Sequence, residues 1–383
     1  MPSRVPQTAV PLSKVIQDRR RTVARSIMRL VLRPPKPAGD ARLPSTGIYR
    51  ILVCRFVNTL GDSLTLTPLL RELSEVYPGA EIDVISRCPA ARLIYGSLPG
   101  VSRVLVLPRR VMRNPWATLR CLRSMRRIRY DLVIDADPQS QSGRLLALLS
   151  RAERSLGYAG PAKAGSMTFS VEPPPELRNR AKLQVYLLRA ARGEFSPRQY
   201  PPLDIGLNAL EREQGRMVLS RLLAQRGDSR TEKDCIGIFA NATGNKLLGS
   251  VWWDRFLQTL EGGISGYRII EILPASARSH LGDRYPGYYS NDARKLAALL
   301  SNLTLFISAD CGVMHLAAAS GIPTAGIFTV TDPHEWGPYG AGQRAVLARD
   351  LTPEQTAAAV LDMIALDASA ERTVKKRVGS VFP

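Results

Sequence analysis

The chain has 383 residues, a formal net charge of +20 and 45% apolar residues. That length exceeds the reach of one ordinary hydrophobic core, so two domains are expected, and the charge calls for an acidic partner: nucleic acid, an anionic membrane surface or a phosphorylated substrate. The five cysteines (Cys54, Cys88, Cys121, Cys235, Cys311) form no Cys-x-x-Cys pair and only three histidines are present, which argues for reduced thiols and against a disulfide framework or a structural zinc.

Residues Ser13 to Arg33 carry Val23, Ile27 and Leu30 or Val31 at helical spacing among Arg19, Arg20, Arg21, Arg25, Arg29 and Arg33. The pattern fits a helix lying on a membrane face, and equally a basic tail without fixed structure. Its apolar residues are too interrupted for a signal-peptide core, and no run of about 18 apolar residues exists to span a bilayer. Pro34, Pro35 and Pro37 end any helix there.

From Ile48 short apolar runs alternate with helical stretches. Ile51–Cys54, Ile82–Ile85, Val104–Leu107 and Leu132–Ile134 read as buried strands, with helices over Leu69–Tyr77 and Trp116–Ile128. Proline-rich pieces at 173–175 and 197–202 interrupt the pattern. After a helix over Leu207–Gln225 a second series follows, with strands at Ile236–Phe239, Arg268–Leu273, Thr304–Ser308 and Thr324–Phe328. Repeated strand and helix units predict parallel sheets, so the fold class is α/β. The expected domains are a basic extension (1–45), an N-terminal Rossmann-like domain (46–205) and a C-terminal one (206–383), divided near Pro202 to Ile205.

Three loops can carry chemistry. The stretch from Leu303 to Gly340 reads as strand, polar turn (Asp310, Cys311, Gly312), small-residue helix (Val313 to Ser320) and second strand. Free N–H groups at such a helix start favour a phosphate, and Gly312 has no side chain to hold it away. Asp310 can accept from sugar hydroxyls and His315 can donate to a diphosphate; singly, each also fits a capping, turn-forming or core role. The second loop, Leu60-Gly61-Asp62, places a carboxylate after the first strand, as a helix cap assisted by Ser63 or as a group that takes a proton. Thr67 followed by Pro68 reads as a further cap. The third loop, Phe239 to Lys246, offers Thr243, Gly244 and Lys246 after a strand, an arrangement suited to a diphosphate and common in plain turns.

The run DCGVMHLAAASGIPTAGIFTVTDP with a following WGPYG, and far upstream TLGDSLTLTPLLRELSEVYPGAEIDVI, resemble glycosyltransferase family 9, the ADP-heptose:lipopolysaccharide heptosyltransferases. The resemblance spans Tyr49 to Gly340 and is weakest between Leu156 and Cys235. It implies a GT-B fold, two Rossmann-like domains facing across a cleft, and an inverting transfer. Asp62 is then the catalytic base. The donor contacts are Thr243, Lys246, Asp310, Cys311, Gly312, Val313, Met314 and His315. ADP-heptose is the implied donor, and the implied acceptor is the inner core or lipid A region of lipopolysaccharide, on the cytoplasmic face of the inner membrane. Gly61, Arg109, Arg110 and Arg144 are the candidates for touching that acceptor. The family carries a lysine shortly before a tryptophan-proline pair; here Lys246 is separated from Trp252 by five residues and Trp253 is followed by Asp254. Trp252 and Trp253 read as core or helix-start residues.

Asp135 and Asp137 form an Asp-x-Asp before Pro138, a pattern that can hold a divalent metal and is also ordinary in turns. Metal-independent transfer with no cofactor is expected. A nucleic-acid-binding protein is disfavoured because aromatic residues do not interleave with the basic clusters. A nucleotide-sugar epimerase is disfavoured because residues 55–63 contain one glycine, too few for a dinucleotide fingerprint.

Overall fold

Ile51, Leu52, Val53 and Cys54 are all fully buried, so the strand they form must be covered on both faces, as strands inside parallel sheets are. The computed structural model describes residues 37–39, 41–160, 163, 167–195, 198–224 and 235–364. The segment Ser13 to Arg33, read as a membrane-face helix or a basic tail, falls outside them. In the first half, β1 (Arg50–Arg55), β2 (Glu81–Ser86), β3 (Val101–Val106), β4 (Tyr130–Asp135), β5 (Ala152–Tyr158) and β6 (Phe169–Val171) build a sheet of order β3-β2-β1-β4-β5-β6. In the second half, β7 (Cys235–Phe239), β8 (Arg268–Ile272), β9 (Gly287–Tyr288), β10 (Leu305–Ala309), β11 (Thr324–Phe328) and β12 (Gln343–Leu347) follow the order β12-β11-β10-β7-β8-β9. Every adjacent pair is parallel.

Both sheets therefore have the same doubly wound topology. The strand order reverses between β1 and β4 in one and between β7 and β10 in the other, and connections leaving in opposite directions open a crevice at each carboxyl edge.

The helices are α1 (Leu60–Leu64), α2 (Thr67–Val76), α3 (Ala91–Tyr95), α4 (Pro115–Arg126), α5 (Gln141–Leu149), α6 (Arg180–Arg192), α7 (Ala209–Ala224), α8 (Ser250–Gly263), α9 (Ala293–Leu300), α10 (Gly312–Ala319) and α11 (Pro333–Trp336). Residues 353–364 are also helical. All eight expected strands and the helices expected near α2, α4, α7 and α10 form. Missing from the sequence reading are β5, β6, β9 and β12, with α5, α6, α8 and α9 among the helices. Thr67 is not the cap of α2: Leu66 holds that place without a side-chain bond, and the Thr67 hydroxyl donates back to the Leu64 carbonyl at 2.8 Å.

The apolar layer between the two halves is continuous, running from Leu69 and Leu73 through Leu203 and Ile205 to Leu299 and Leu316. Polar ties reinforce it. Arg294 on α9 donates to the carbonyls of Leu93 (3.1 Å) and Ile205 (2.9 Å) and pairs with Glu211 at 2.6 Å, while the Ile205 N–H donates to the Ala319 carbonyl at 3.1 Å. No helix among the described residues is long and apolar enough to cross a membrane.

Helices α7 and α9 approach at Gly215, where a Cβ would lie 2.0 Å from the Ala298 carbonyl oxygen. Gly215→Ala is expected to destabilise the protein by about 1–3 kcal/mol through overpacking. Gly262→Ala, at a helical position with open space around it, should instead be neutral or stabilising by a few tenths of a kcal/mol up to about 1. Denaturant midpoints of the two variants check this contrast; equal midpoints would mean the α7–α9 contact is slack.

Candidate functional site

Loops leaving β1, β7, β10 and β11 meet around one cavity of about 520 Å³, lined by Thr59 to Asp62 on one side and by Thr243, Lys246, Asp310 to Val313, His315, Thr331 and Trp336 on the other. It sits where both crevices open. Of the expected site residues, Asp62, Gly61, Thr243, Lys246, Asp310, Cys311, Gly312, Val313 and His315 all line it.

Asp62 is not the cap of its helix. Thr59 caps α1, accepting from the Asp62 N–H at 3.3 Å and donating its hydroxyl to Asp62 Oδ2 at 2.5 Å. The carboxylate is thereby aimed by Thr59 into the cavity. Beneath it lies Arg55, whose guanidinium donates to the Asp62 carbonyl from Nε (3.3 Å) and Nη2 (3.1 Å), to Thr65 Oγ1 at 3.2 Å and to Asp137 Oδ2 at 3.3 Å. Arg55 reaches Asp62 Oδ1 only at 3.9 Å. It anchors the start of the helix more than it neutralises the acid.

Across the cavity, Cys311 occupies the cap position of α10 without a capping bond, so Asp310 is spared that role as well. Asp310 Oδ2 accepts from Lys246 Nζ at 3.2 Å and from the Thr331 hydroxyl. Burial pushes the Cys311 thiol pKa up, which leaves it a poor nucleophile at neutral pH. His315 is 5% exposed, and its Nδ1 is buried without a hydrogen-bond partner. Burial holds its pKa below the ordinary histidine value, against the opposing pull of Asp310 and Asp62. A neutral imidazole still carries one N–H to donate.

The halves touch through two glycines. A Cβ on Gly61 would lie 2.8 Å from His315 Cδ2 and 3.3 Å from Gly312 Cα, and one on Gly312 would lie 3.1 Å from the Gly61 nitrogen. The wall bearing Trp336 is tied to the other domain by the N-terminal end of α6. Arg178 pairs with Asp332 at 2.7 Å, Arg180 pairs with Glu335 and lies over the Trp336 ring at 5.2 Å, and Asn179 Nδ2 donates to the Gly337 carbonyl at 3.1 Å.

Two expectations are corrected. Arg144 is 1% exposed, pairs with Asp135 at 3.0 Å and donates to the Tyr158 carbonyl at 2.6 Å; it is sealed inside the first domain because Asp135, nine residues earlier, is itself fully buried at the end of β4 and needs a counter-charge. Met314 is fully buried, its sulfur packed against Gly326, and does not line the cavity. Arg109 and Arg110 are exposed on the loop after β3, outside the cavity lining.

The Asp-x-Asp pair is committed elsewhere. Asp135 also pairs with Lys163 at 2.7 Å, and Asp137 is held by Arg55 and accepts from the N–H groups of Gln139 and Ser140. Burial alone would raise the Asp137 pKa, but Arg55 and those amides outweigh it and hold it low. Trp252 stacks on Phe256 and Trp253 meets both rings edge-on, against the second core, as core residues should.

The sequence assigns no role to Arg55, Thr59 or Trp336, although Thr59 and Trp336 lie in the runs beginning TLGDS and WGPYG. Thr59 alone left a signal there, since threonine three residues before an acid is a capping-box spacing.

Residues 292–364 match the model of Glycosyltransferase family 9 (heptosyltransferase). No curated protein matches the chain. Among solved structures, a glycosyl transferase family 9 protein from Veillonella parvula is similar at 19% identity and a TM-score of 0.66, over 80% of this chain and 86% of that one. E. coli heptosyltransferase WaaC with ADP is similar at 20% identity and 0.61, over 82% and 99%. E. coli ADP-heptose lps heptosyltransferase II follows at 18% and 0.61, over 84% and 100%.

Because His315 is held neutral by burial, the unfolded chain takes up a proton on acidification before the folded chain does. Stability is therefore expected to fall as pH drops below about 6.5, with no contribution above it. Denaturant midpoints at pH 7.5 and 5.5 should fall less in His315→Gln than in the wild type; parallel losses would place the ring's protonation outside the folding equilibrium.

Proposed function

We propose that this chain, a glycosyltransferase of family 9, transfers heptose with inversion from ADP-heptose to the phosphorylated inner core or lipid A region of lipopolysaccharide, on the cytoplasmic face of the inner membrane. The observation that carries the reading is one cavity with Asp62 on one domain and the uncapped start of α10 on the other. Residues 206–383 serve as the donor half and 46–205 as the acceptor half.

An acceptor hydroxyl attacking the anomeric carbon must lose its proton as the bond to the diphosphate breaks. Asp62 takes that proton, since a carboxylate within hydrogen-bond reach of the attacking oxygen is the group general-base chemistry requires. The leaving diphosphate gains charge at the same moment. It meets the N–H groups at Gly312 and Val313, the ammonium of Lys246 and the N–H of neutral His315, and preorganised donors of this kind stabilise developing charge without a metal. Asp310 holds Lys246 in place by Oδ2 and leaves Oδ1 without a partner among the described residues, suited to a hydroxyl of ribose or sugar. The solved relative bound to ADP supports an adenine nucleotide donor. Arg109 and Arg110, exposed on the loop after β3, are the arginines proposed to meet acceptor phosphates.

Incubation with a panel of nucleotide sugars and extracted lipid acceptors, read by mass spectrometry, tests the donor; a product from another nucleotide sugar, with none from ADP-heptose, replaces it. Asp62→Asn should lower kcat by about 10²–10⁴-fold while ADP affinity stays within about twofold, because the base acts on acceptor. A variant with normal turnover would return Asp62 to a structural role.

A further inference from the structure

Helix α4 is two-faced in an unusual way. Cys121, Leu122 and Met125 turn toward the sheet, Met125 fully buried. The opposite face carries Trp116, Arg120, Arg123 and Arg127, at intervals of four, three and four residues that keep them in line. With Leu119 and Ser124 they border a groove of about 490 Å³. Trp116 is 77% exposed and Met112, just before the helix, 92%. No Asp or Glu occurs between Asp83 and Asp131. Among the described residues, Arg109, Arg110, Arg113, Arg120, Arg123 and Arg127 have no ion-pair partner.

An ordinary solvated helix face mixes both signs of charge and keeps large apolar residues inward. This face does neither. Exposed tryptophan flanked by unpaired arginines matches the boundary of a bilayer, where the indole settles at headgroup depth and guanidinium groups pair with lipid phosphates.

We propose that the α4 face of Trp116, Arg120, Arg123 and Arg127 seats the protein on an anionic phospholipid bilayer. The proposal goes beyond the transfer reaction and depends neither on the sugar nor on Asp62. Its consequence for the cleft follows from topology. Strand β3 lies two places from β1, so their carboxyl ends are roughly 10 Å apart at ordinary strand spacing. The loop of residues 107–114 joins the end of β3 to α4. The start of α4, with Trp116, therefore lies toward the sheet edge from which Asp62 is presented, and a bilayer on this face adjoins the cleft at its Trp116 end.

The test uses the full chain, residues 1–36 included, in flotation with vesicles of phosphatidylcholine alone or enriched in phosphatidylglycerol. Wild-type protein should float with the anionic vesicles only, and less so as salt rises. A triple variant, Trp116→Ser with Arg120→Gln and Arg123→Gln, should bind them at least about tenfold more weakly, with ADP affinity and transfer to a detergent-dispersed acceptor at wild-type level. Brominated lipids should quench wild-type fluorescence, and Trp116→Phe should abolish that quenching. Vesicle binding unchanged in the triple variant would move the seat to another segment, such as the basic N-terminus, and overturn the proposal. So would equal binding to neutral vesicles, or loss of single-stranded RNA binding in the variant while vesicle binding stands. Lost transfer to the dispersed acceptor with ADP affinity intact would reassign the face to the acceptor itself, and would likewise overturn it. Failure of the transferase reading would leave every flotation result in place.

Discussion

Gly61 and Gly312 meet backbone to backbone where the two domains touch, and the cavity exists in its present form because neither has a side chain. A single Cβ at either position would fall within 3.3 Å of atoms on the other domain, closer than carbon atoms ordinarily pack. Asp62 follows one glycine and His315 lies one helical turn beyond the other, so this contact places an acid and an imidazole on the same small volume. The apolar layer shared by both halves and the ties through Arg294, Arg178 and Arg180 hold the approach in register.

The electrostatics of the cavity are divided by domain. On one side an acid is aimed by Thr59 and its helix is anchored by Arg55, which spends its short contacts on the Asp62 carbonyl and on Thr65. On the other, Lys246 is moored to Asp310, so its charge is fixed in position before any anion arrives. Preorganisation of this kind lowers the cost of stabilising charge at the moment it develops. His315 stands between the two, kept neutral by burial even with two carboxylates nearby, so it offers a dipole where a full charge would be expensive.

The carboxyl edge of the first sheet presents more than Asp62. Asp62 follows β1, Arg109 and Arg110 follow β3, and the exposed arginine face of α4 begins a few residues later. In a parallel sheet every strand delivers its following loop to the same edge, so an acid, a pair of exposed arginines and the start of a basic helix come to one side without any further device. Part of the +20 charge thus has a local address on α4 and its preceding loop.

The buried strands were legible because a parallel sheet covers both faces of its strands, and runs such as Ile51–Cys54 or Thr324–Phe328 leave little else to be. The strand-turn-helix loops at Gly61 and Gly312 were legible for a related reason: glycine, acid and helix start are neighbours along the chain. Strand β5 was not, because Ala152-Glu153-Arg154 opens it with charged residues, and α6 was hidden between proline-rich stretches although Asn179 caps it and Gly193 ends it in the left-handed region. The arginines show the limit most plainly. Arg144 and Arg109 look alike in sequence, yet one is buried against Asp135 and the other is exposed beyond β3. The amino-acid sequence by itself determined the α/β class, the loops bearing Asp62 and Gly312 and the excess of positive charge, all of which depend on residues close in the chain. Only the tertiary structure decided which arginines are spent on buried carboxylates, that Met314 packs inward, and that Thr59, Arg55 and Trp336 belong to the site, because a charged or aromatic side chain takes its role from the distant residue the fold sets beside it.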